Sequence, residues 1–231
     1  MRYLLLSIVS AAFLWACAGA AAETPNTNAA PPHTNAPTAG ISTTAPTAAA
    51  EPAAAPEEDS TRIAQRRDSL LRQNDSTWVD MELIAPDMVF DIRYATTNNF
   101  VGEVMYDCPK CLLRVATARA VWRAHENLKK QYAYRIKMYD CYRPQSVQYK
   151  LWKKVPDKRY VAPPDKGSQH NKGLAIDLTL VDKNDKELDM GTPFDYFGKE
   201  AYWSYTGHSA QINQNRQRLR SAMEKQGFGT S

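Results

Sequence analysis

A histidine and an aspartate lie close together in the stretch SQHNKGLAIDLTL, residues 168–180. The turn-forming residues 171–173, Asn-Lys-Gly, lie between them, so the chain can reverse there and bring His170 beside Asp177. An imidazole and a carboxylate are ordinary zinc ligands, and zinc with an open coordination position lowers the pKa of a bound water toward neutrality. His170 and Asp177 could supply two ligands of such a metal, but their spacing alone does not distinguish a metal site from a turn histidine and a capping aspartate.

Two alternating segments predict the strands that would position these side chains. In LAIDLTLV, residues 174–181, leucines and an isoleucine occupy one face, and Asp177 lies on the other face among small residues. In AYRIKMYDCY, residues 133–142, a similar alternation predicts a second strand. Arg143 follows this strand, and Pro144 suits the first turn of a helix, PQSVQYKLWKK. Because Arg143 lies where a strand exits and a helix begins, it is a candidate site residue.

Two further segments have the periodicity of helices. The segment Cys111–Tyr132 carries small and apolar residues at spacings of three and four, and His125 beside them is predicted to be a surface or boundary histidine. Residues 211–228 repeat the helical pattern, with Gly227 as a natural stop. Short strands mixed with helices, without regular βαβ alternation, predict an α+β fold.

The beginning of the chain is predicted to lie outside this fold. Residues 1–17, MRYLLLSIVSAAFLWAC, combine an early positive charge with a short apolar run, which is typical of an export signal rather than a membrane anchor. The last four of them resemble a bacterial lipoprotein cleavage box, in which Cys17 becomes the lipidated first residue; simple secretion is the alternative. Residues 18–60, rich in Ala, Pro and Thr, predict a disordered linker. Residues 61–231 are left as one domain with its own core.

Charge and cysteine content narrow the class of protein. The net charge is +4, and basic residues alternate with acidic ones, as in KNDKELD, which does not indicate a nucleic-acid-binding surface. Apart from Cys17, the cysteines are Cys108, Cys111 and Cys141. In an exported protein a disulfide among these three is favoured over a zinc knuckle, and the sequence leaves the partners open.

The pattern S-x-H-x-x-G-x-A-x-D at residues 168–177 resembles that of the zinc D,D-peptidases of the bacterial cell wall. From about residue 80 onward, five blocks in order resemble the D-alanyl-D-alanine dipeptidases. They are DIRYATTNNFVG, YDCYRP, SQHNKGLAIDLTL, MGTPFDYF and NRQRLRSAMEKQGF. The resemblance implies a single compact domain with a small antiparallel sheet and flanking helices.

The same resemblance implies roles for individual residues. His170 and Asp177 would be ligands of one zinc ion, and Arg143 would stabilise the oxyanion formed as water attacks the peptide carbonyl. The residues expected to hold the free amino end of the dipeptide are Tyr94, Ser168 and Asp195.

One block of the resemblance is missing from the sequence. The dipeptidases continue after the last helix into an E-W-W-H block, which provides the general base and a third zinc ligand, whereas this sequence reads GFGTS and contains no Glu-x-x-His. His208 is the histidine considered as a substitute. A general base contributes about 10² to 10⁴ in rate. We therefore expect a weakly active and poorly stable chain, for which a truncated reading frame is the simplest explanation.

The function expected from the resemblance is zinc-dependent hydrolysis of D-alanyl-D-alanine in cell-wall turnover. Two alternatives are a carboxypeptidase that trims D-alanine from a longer stem peptide, and a non-catalytic binder of cell-wall peptides. The export signal places such a protein in the periplasm or, through Cys17, on a membrane.

Overall fold

The computed structural model describes residues 59–229. The predicted signal sequence, the lipidation site Cys17 and nearly all of the predicted linker lie outside these residues, so they stay predictions. Within the described range, no helix combines the length and the apolar character needed to cross a bilayer.

Short helices and strands alternate irregularly along the described chain. The helices are α1 (Ser60–Leu71), α2 (Met81–Ile84), α3 (Val115–Tyr132), α4 (Gln145–Lys154) and α5 (Ala210–Glu224). The strands are β1 (Trp78–Asp80), β2 (Val89–Phe90), β3 (Leu112–Arg114), β4 (Arg135–Asp140) and β5 (Asp177–Val181). Polar side chains fix where helices begin: the Asp59 carboxylate accepts from the N–H of Thr61, and the Ser209 hydroxyl accepts from the N–H of Ile212.

Two small sheets organise the domain. One contains β2, β4 and β5 in that order, with β2 parallel to β4 and β4 antiparallel to β5; the other pairs β1 with β3 antiparallel. The register of β4 against β5 shifts between Met138 and Asp140. The α+β class is therefore confirmed, and the mainly antiparallel sheet gains one parallel pair through β2.

The core lies between the helices and the three-stranded sheet. Helix α3 contacts α1, α5 and β4, so it covers one face of the central strand. The largest fully buried apolar side chains are Met81, Ile84, Leu113, Leu128, Ile136, Met138, Leu151 and Leu180. Strand β4 contributes two of them, and it ends at the buried carboxylate of Asp140. The central strand thus places a buried carboxylate at its C-terminal end.

Two element boundaries differ from those predicted from the sequence. The helix predicted from Cys111 begins at Val115, because residues 112–114 are extended and pair with β1. The strand predicted from Leu174 begins at Asp177. Leu174 still belongs to the preceding turn, since its N–H donates to the carbonyl of Gln169, and its side chain is 47% exposed.

The prediction that His125 lies at the surface or boundary is wrong, because its side chain is fully buried. Its Nδ1 accepts from the N–H of Ile136 at 3.2 Å, which leaves Nε2 to donate to Asp87 Oδ2, also at 3.2 Å. Hydrogen bonding from His125 lowers the pKa of Asp87 below its usual range, and Lys129 contributes in the same direction. The histidine therefore joins α3 to β4 as a satisfied core residue.

The predicted disulfide forms between Cys111 and Cys141, whose Cα atoms are 5.2 Å apart. Both residues are almost fully buried. The bond connects the segment that enters β3 to the segment that leaves β4.

Candidate active site

His170 and Asp177 face each other across the predicted turn. The Nδ1–H of His170 donates to the carbonyl of Cys141 at 2.8 Å, so the lone pair of the neutral ring is on Nε2. This Nε2 lies 3.7 Å from Oδ1 of Asp177. The sequence pattern thus brings together an imidazole nitrogen and a carboxylate oxygen that are both oriented as ligands.

Gly173 makes the turn between them possible. Its φ of 69° lies in the left-handed region. A Cβ at this position would come within 2.3 Å of the Trp78 ring, so a larger residue would collide with β1. The Gly173 carbonyl accepts from the N–H of Arg114 at 3.2 Å. The two-stranded sheet therefore supports the turn that sets the separation of His170 and Asp177.

The pair fits one tetrahedral metal ion. Two zinc bonds at a tetrahedral angle separate their ligand atoms by about 3.3–3.4 Å, so the 3.7 Å between His170 and Asp177 requires only a small adjustment. Burial raises the pKa of Asp177, and the charge of Asp140 adds to this, while His170 acts in the opposite direction. A cation between the two ligand atoms would favour the ionised carboxylate.

Asp140 lies near the same pair but is engaged elsewhere. Its Oδ2 is 3.6 Å from Nδ1 of His170, which is the nitrogen turned away from Asp177. Oδ1 accepts from the hydroxyl of Tyr106 at 2.6 Å, and Oδ2 accepts from the guanidinium of Arg143. Asp140 therefore orients its neighbours and is not assigned as a ligand.

Arg143 is held rigidly by this carboxylate. Its Nε and Nη2 donate to Asp140 Oδ2 at 3.1 and 2.7 Å, and its Nη1 donates to Gln148 Oε1 at 3.2 Å. Burial alone would lower the pKa of Arg143, but Asp140, the two neighbouring tyrosines and Asp177 together outweigh it and keep the pKa above its usual range. Sequence reasoning missed Asp140 and Gln148, although a carboxylate three residues before the arginine in DCYRP was a usable signal.

Tyr94 and Asp195 form a second polar group beside Arg143. The hydroxyl of Tyr94 donates to Asp195 Oδ2 at 2.9 Å, and the Tyr94 ring lies 5.0 Å below the Arg143 Cζ. Burial raises the pKa of Asp195 to about 6, with the charge of Asp177 acting in the same direction. The structure thus places Tyr94, Asp195 and Arg143 in one cluster, while their roles toward a dipeptide stay predictions.

Ser168 supports the site through the turn. Its N–H and its hydroxyl donate to Oδ1 of Asn171 at 2.6 and 3.1 Å. The Nδ2 of Asn171 in turn donates to the carbonyl of Arg143 at 2.7 Å. Ser168 therefore fixes the loop before His170, and Asn171 joins this loop to the exit of β4, a role that sequence reasoning missed.

His208, the histidine considered as a substitute ligand, is committed to another loop. Its Nε2–H donates to the carbonyl of Glu200 at 2.8 Å. Its ring also packs on Gly191, where an added Cβ would lie 2.4 Å from it. These contacts hold the His208 ring against a loop that contains neither His170 nor Asp177.

A cavity of about 590 Å³ opens beside Asp177 along β5. Its apolar lining comes from the strand, from the loop after it and from α5. The apolar lining residues include Ile176, Leu178, Met190, Phe194, Leu219 and Met223. Asp177 is thus reached from open space on one side and from His170 on the other.

A family model described as D-ala-D-ala dipeptidase matches residues 74–231. The chain is similar to the D-alanyl-D-alanine dipeptidase of Escherichia coli, at 33% identity over 150 residues, which is 65% of this chain and 77% of that protein. It is also similar to the D-alanyl-D-alanine dipeptidase of Enterococcus faecium, at 31% identity over 163 residues, which is 60% of this chain and 79% of that protein.

Proposed function

Because the chain belongs to the D-ala-D-ala dipeptidase family, we propose that it is a zinc peptidase that hydrolyses the D-alanyl-D-alanine dipeptide of the bacterial cell wall. The observation that carries the proposal is the His170–Asp177 pair. Its two ligand atoms lie 3.7 Å apart, and the other ring nitrogen of His170 is held by a backbone carbonyl. That orientation is typical of a metal-binding histidine.

His170 and Asp177 would hold the zinc ion, which supplies Lewis-acid polarisation to the scissile peptide group. Because a metal ion binds the folded protein by mass action, activity should depend on the concentration of zinc. The assay below therefore includes a zinc titration.

Arg143 would stabilise the negative charge that develops on the peptide oxygen. Its guanidinium is buried and already fixed by Asp140 and Gln148, so little reorganisation is needed when that charge appears. The hydrogen bonds to these two residues use three of the five N–H donors of a guanidinium. Donors thus remain for a substrate oxygen.

Asp195 would bind the free ammonium group of the dipeptide. Tyr94 donates to Oδ2, which orients the carboxylate and leaves Oδ1 for the substrate. An ammonium and a partly buried carboxylate form a strong charge-assisted hydrogen bond. A peptidase with this contact distinguishes a free dipeptide from an internal segment of a longer chain.

The test is release of D-alanine from D-Ala-D-Ala by the metal-free protein, with zinc added in increasing amounts. We expect zinc-dependent release, with no cleavage of L-Ala-L-Ala or of N-acetyl-D-Ala-D-Ala. Cleavage of the acetylated peptide would instead indicate a carboxypeptidase. Binding of D-Ala-D-Ala without release at any zinc concentration would indicate the non-catalytic binder.

Asp195→Asn is expected to raise KM for the dipeptide about 10- to 100-fold at pH 8 while changing kcat little, since a hydrogen bond to a charged group contributes about 1.5–3 kcal/mol. The pKa of Asp195 is raised to about 6, so the carboxylate is ionised above this pH and loses its charge as the pH falls through it. KM of the natural protein should therefore rise as the pH is lowered from 8 to 5, and this rise should vanish in the variant.

The matched control is Asp185→Asn, an exposed aspartate whose φ of 63° resembles the 55° of Asp195. The Asp185→Asn variant should have the same KM as the natural protein and the same dependence of KM on pH. An unchanged acidic rise of KM in Asp195→Asn would assign ammonium binding to another group.

A further inference from the structure

The disulfide lies directly behind the candidate metal site. Cys141 directly follows Asp140, whose carboxylate orients Arg143, and it precedes Arg143 by two residues. Its partner Cys111 precedes β3, and 30 residues separate the two cysteines in sequence. The bond therefore fixes the exit of β4 at the position where the site residues begin.

The backbone of Cys141 makes two contacts with site residues. Its carbonyl accepts the Nδ1–H of His170 at 2.8 Å, and its N–H donates to Oδ1 of Asp140 at 2.9 Å. The first contact selects the ring tautomer that leaves Nε2 facing Asp177. The position of one carbonyl oxygen thus decides how the metal-binding histidine is presented.

The sheet does not hold this carbonyl by regular pairing. The register of β4 against β5 shifts between Met138 and Asp140, and β4 ends at Asp140. Beyond that point, the N–H of Tyr142 donates to the carbonyl of Leu112 at 3.0 Å. This hydrogen bond and the adjacent disulfide both fasten the segment to the region of β3. The disulfide is the covalent one of the two.

We propose that the Cys111–Cys141 disulfide is a positioning element that sets the zinc affinity of the His170 site, so that zinc binding depends on an oxidised state of the protein. This inference rests on the proposed function, because it assumes that His170 binds the metal. Groups that orient a metal-binding histidine typically change metal affinity about 10- to 100-fold when they are lost. Here the orienting group is a main-chain carbonyl, so its position is controlled through the cross-link.

Opening the disulfide requires two electrons and two protons. A dithiol reductant would supply both: its thiolate attacks one sulfur, the Cys111–Cys141 bond breaks, two thiols form on the protein, and the reductant becomes a cyclic disulfide. Reoxidation by a disulfide of the environment reverses the exchange. The proposed dependence is therefore reversible and conserves all atoms.

The test compares the oxidised full chain with the variant Cys111→Ser, Cys141→Ser, which has no thiols at this position that could bind zinc themselves. Zinc alone is the probe, and its Kd is measured by competition with a chromophoric chelator. We expect zinc binding about 10- to 100-fold weaker in the variant. Nitrogen NMR of the metal-free imidazole of His170 should show the Nδ1–H tautomer in the oxidised protein and a mixture of tautomers in the variant.

Two comparisons separate positioning from general loss of stability. Leu71→Ala removes buried apolar volume at the end of α1, outside the site, and should lower the unfolding temperature without changing zinc affinity or the His170 tautomer. If the serine variant does not fold, the pair Cys111→Ala, Cys141→Val replaces it, because those side chains keep the position apolar.

The outcomes distinguish this inference from the proposed function. Equal zinc affinity and the same His170 tautomer in the oxidised protein and the variant would overturn the positioning role and leave the zinc site intact. Failure of the oxidised protein itself to bind zinc would overturn both. Weaker binding in the variant with an unchanged tautomer would also overturn the inference, because the carbonyl would not be the cause.

Discussion

His170→Ala is expected to abolish zinc binding at the site and to reduce hydrolysis of D-Ala-D-Ala to the background rate. The substitution removes one of the two ligand atoms, Nε2, and leaves Asp177 as a single carboxylate. Lewis-acid stabilisation is worth several kcal/mol, so its loss corresponds to a fall in rate of about 10³-fold or more. Zinc stoichiometry and initial rates at saturating zinc are the two measurements.

The matched control for this change is His208→Ala. His208 is also a partly buried loop histidine, but it donates to the carbonyl of Glu200 and packs on Gly191. Zinc content and kcat should therefore stay near those of the natural protein. The opposite pattern, in which His208→Ala loses the metal and His170→Ala retains it, would mean that the metal site has been assigned to the wrong histidine.

Arg143→Lys is expected to lower kcat about 10²- to 10³-fold with a smaller change in KM, because a lysine retains the charge but not the forked donors that face a developing oxyanion. Arg143→Ala should lose activity to a similar or greater extent and should also destabilise the fold. The reason is Asp140, which is fully buried and would lose its cationic partner. Breaking a buried pair in this way costs about 3–5 kcal/mol.

A double variant separates the two effects of Arg143. Arg143→Ala combined with Asp140→Asn removes the unpaired charge, so part of the lost stability should return in urea denaturation while kcat stays low. If the double variant recovered activity together with stability, Arg143 would be a structural residue and not one that acts on the substrate. Full activity of Arg143→Lys would lead to the same conclusion.

The closeness of His170 to Asp177 could be predicted because the information for it is local. His170, the turn at Gly173 and Asp177 lie within a short segment, and only glycine fits the left-handed turn against Trp78. The orientation of the ring could not be predicted. It depends on the carbonyl of Cys141, which is far from His170 in sequence and lies just beyond the last paired residue of β4.

The same contrast separates the elements of the fold that were predicted correctly from those that were not. Strand β4 and helices α4 and α5 appear near their predicted positions because alternation and helical spacing are properties of each segment. Two expectations were wrong for a common reason. Residues 112–114 join a strand because β1 pairs with them, and His125 is buried because Ile136 and Asp87 satisfy its nitrogens. In both cases the deciding partner comes from another part of the chain.

The bond between Tyr94 and Asp195 spans 101 residues and encloses Asp140, Arg143, His170 and Asp177 within the loop it closes. Closing so long a loop has an entropic cost that is recovered only once the intervening sheet and turn have formed. No shorter fragment of the domain contains the whole constellation. These side chains would therefore come together only after the segments between Tyr94 and Asp195 have all folded, so the site would be among the late products of folding.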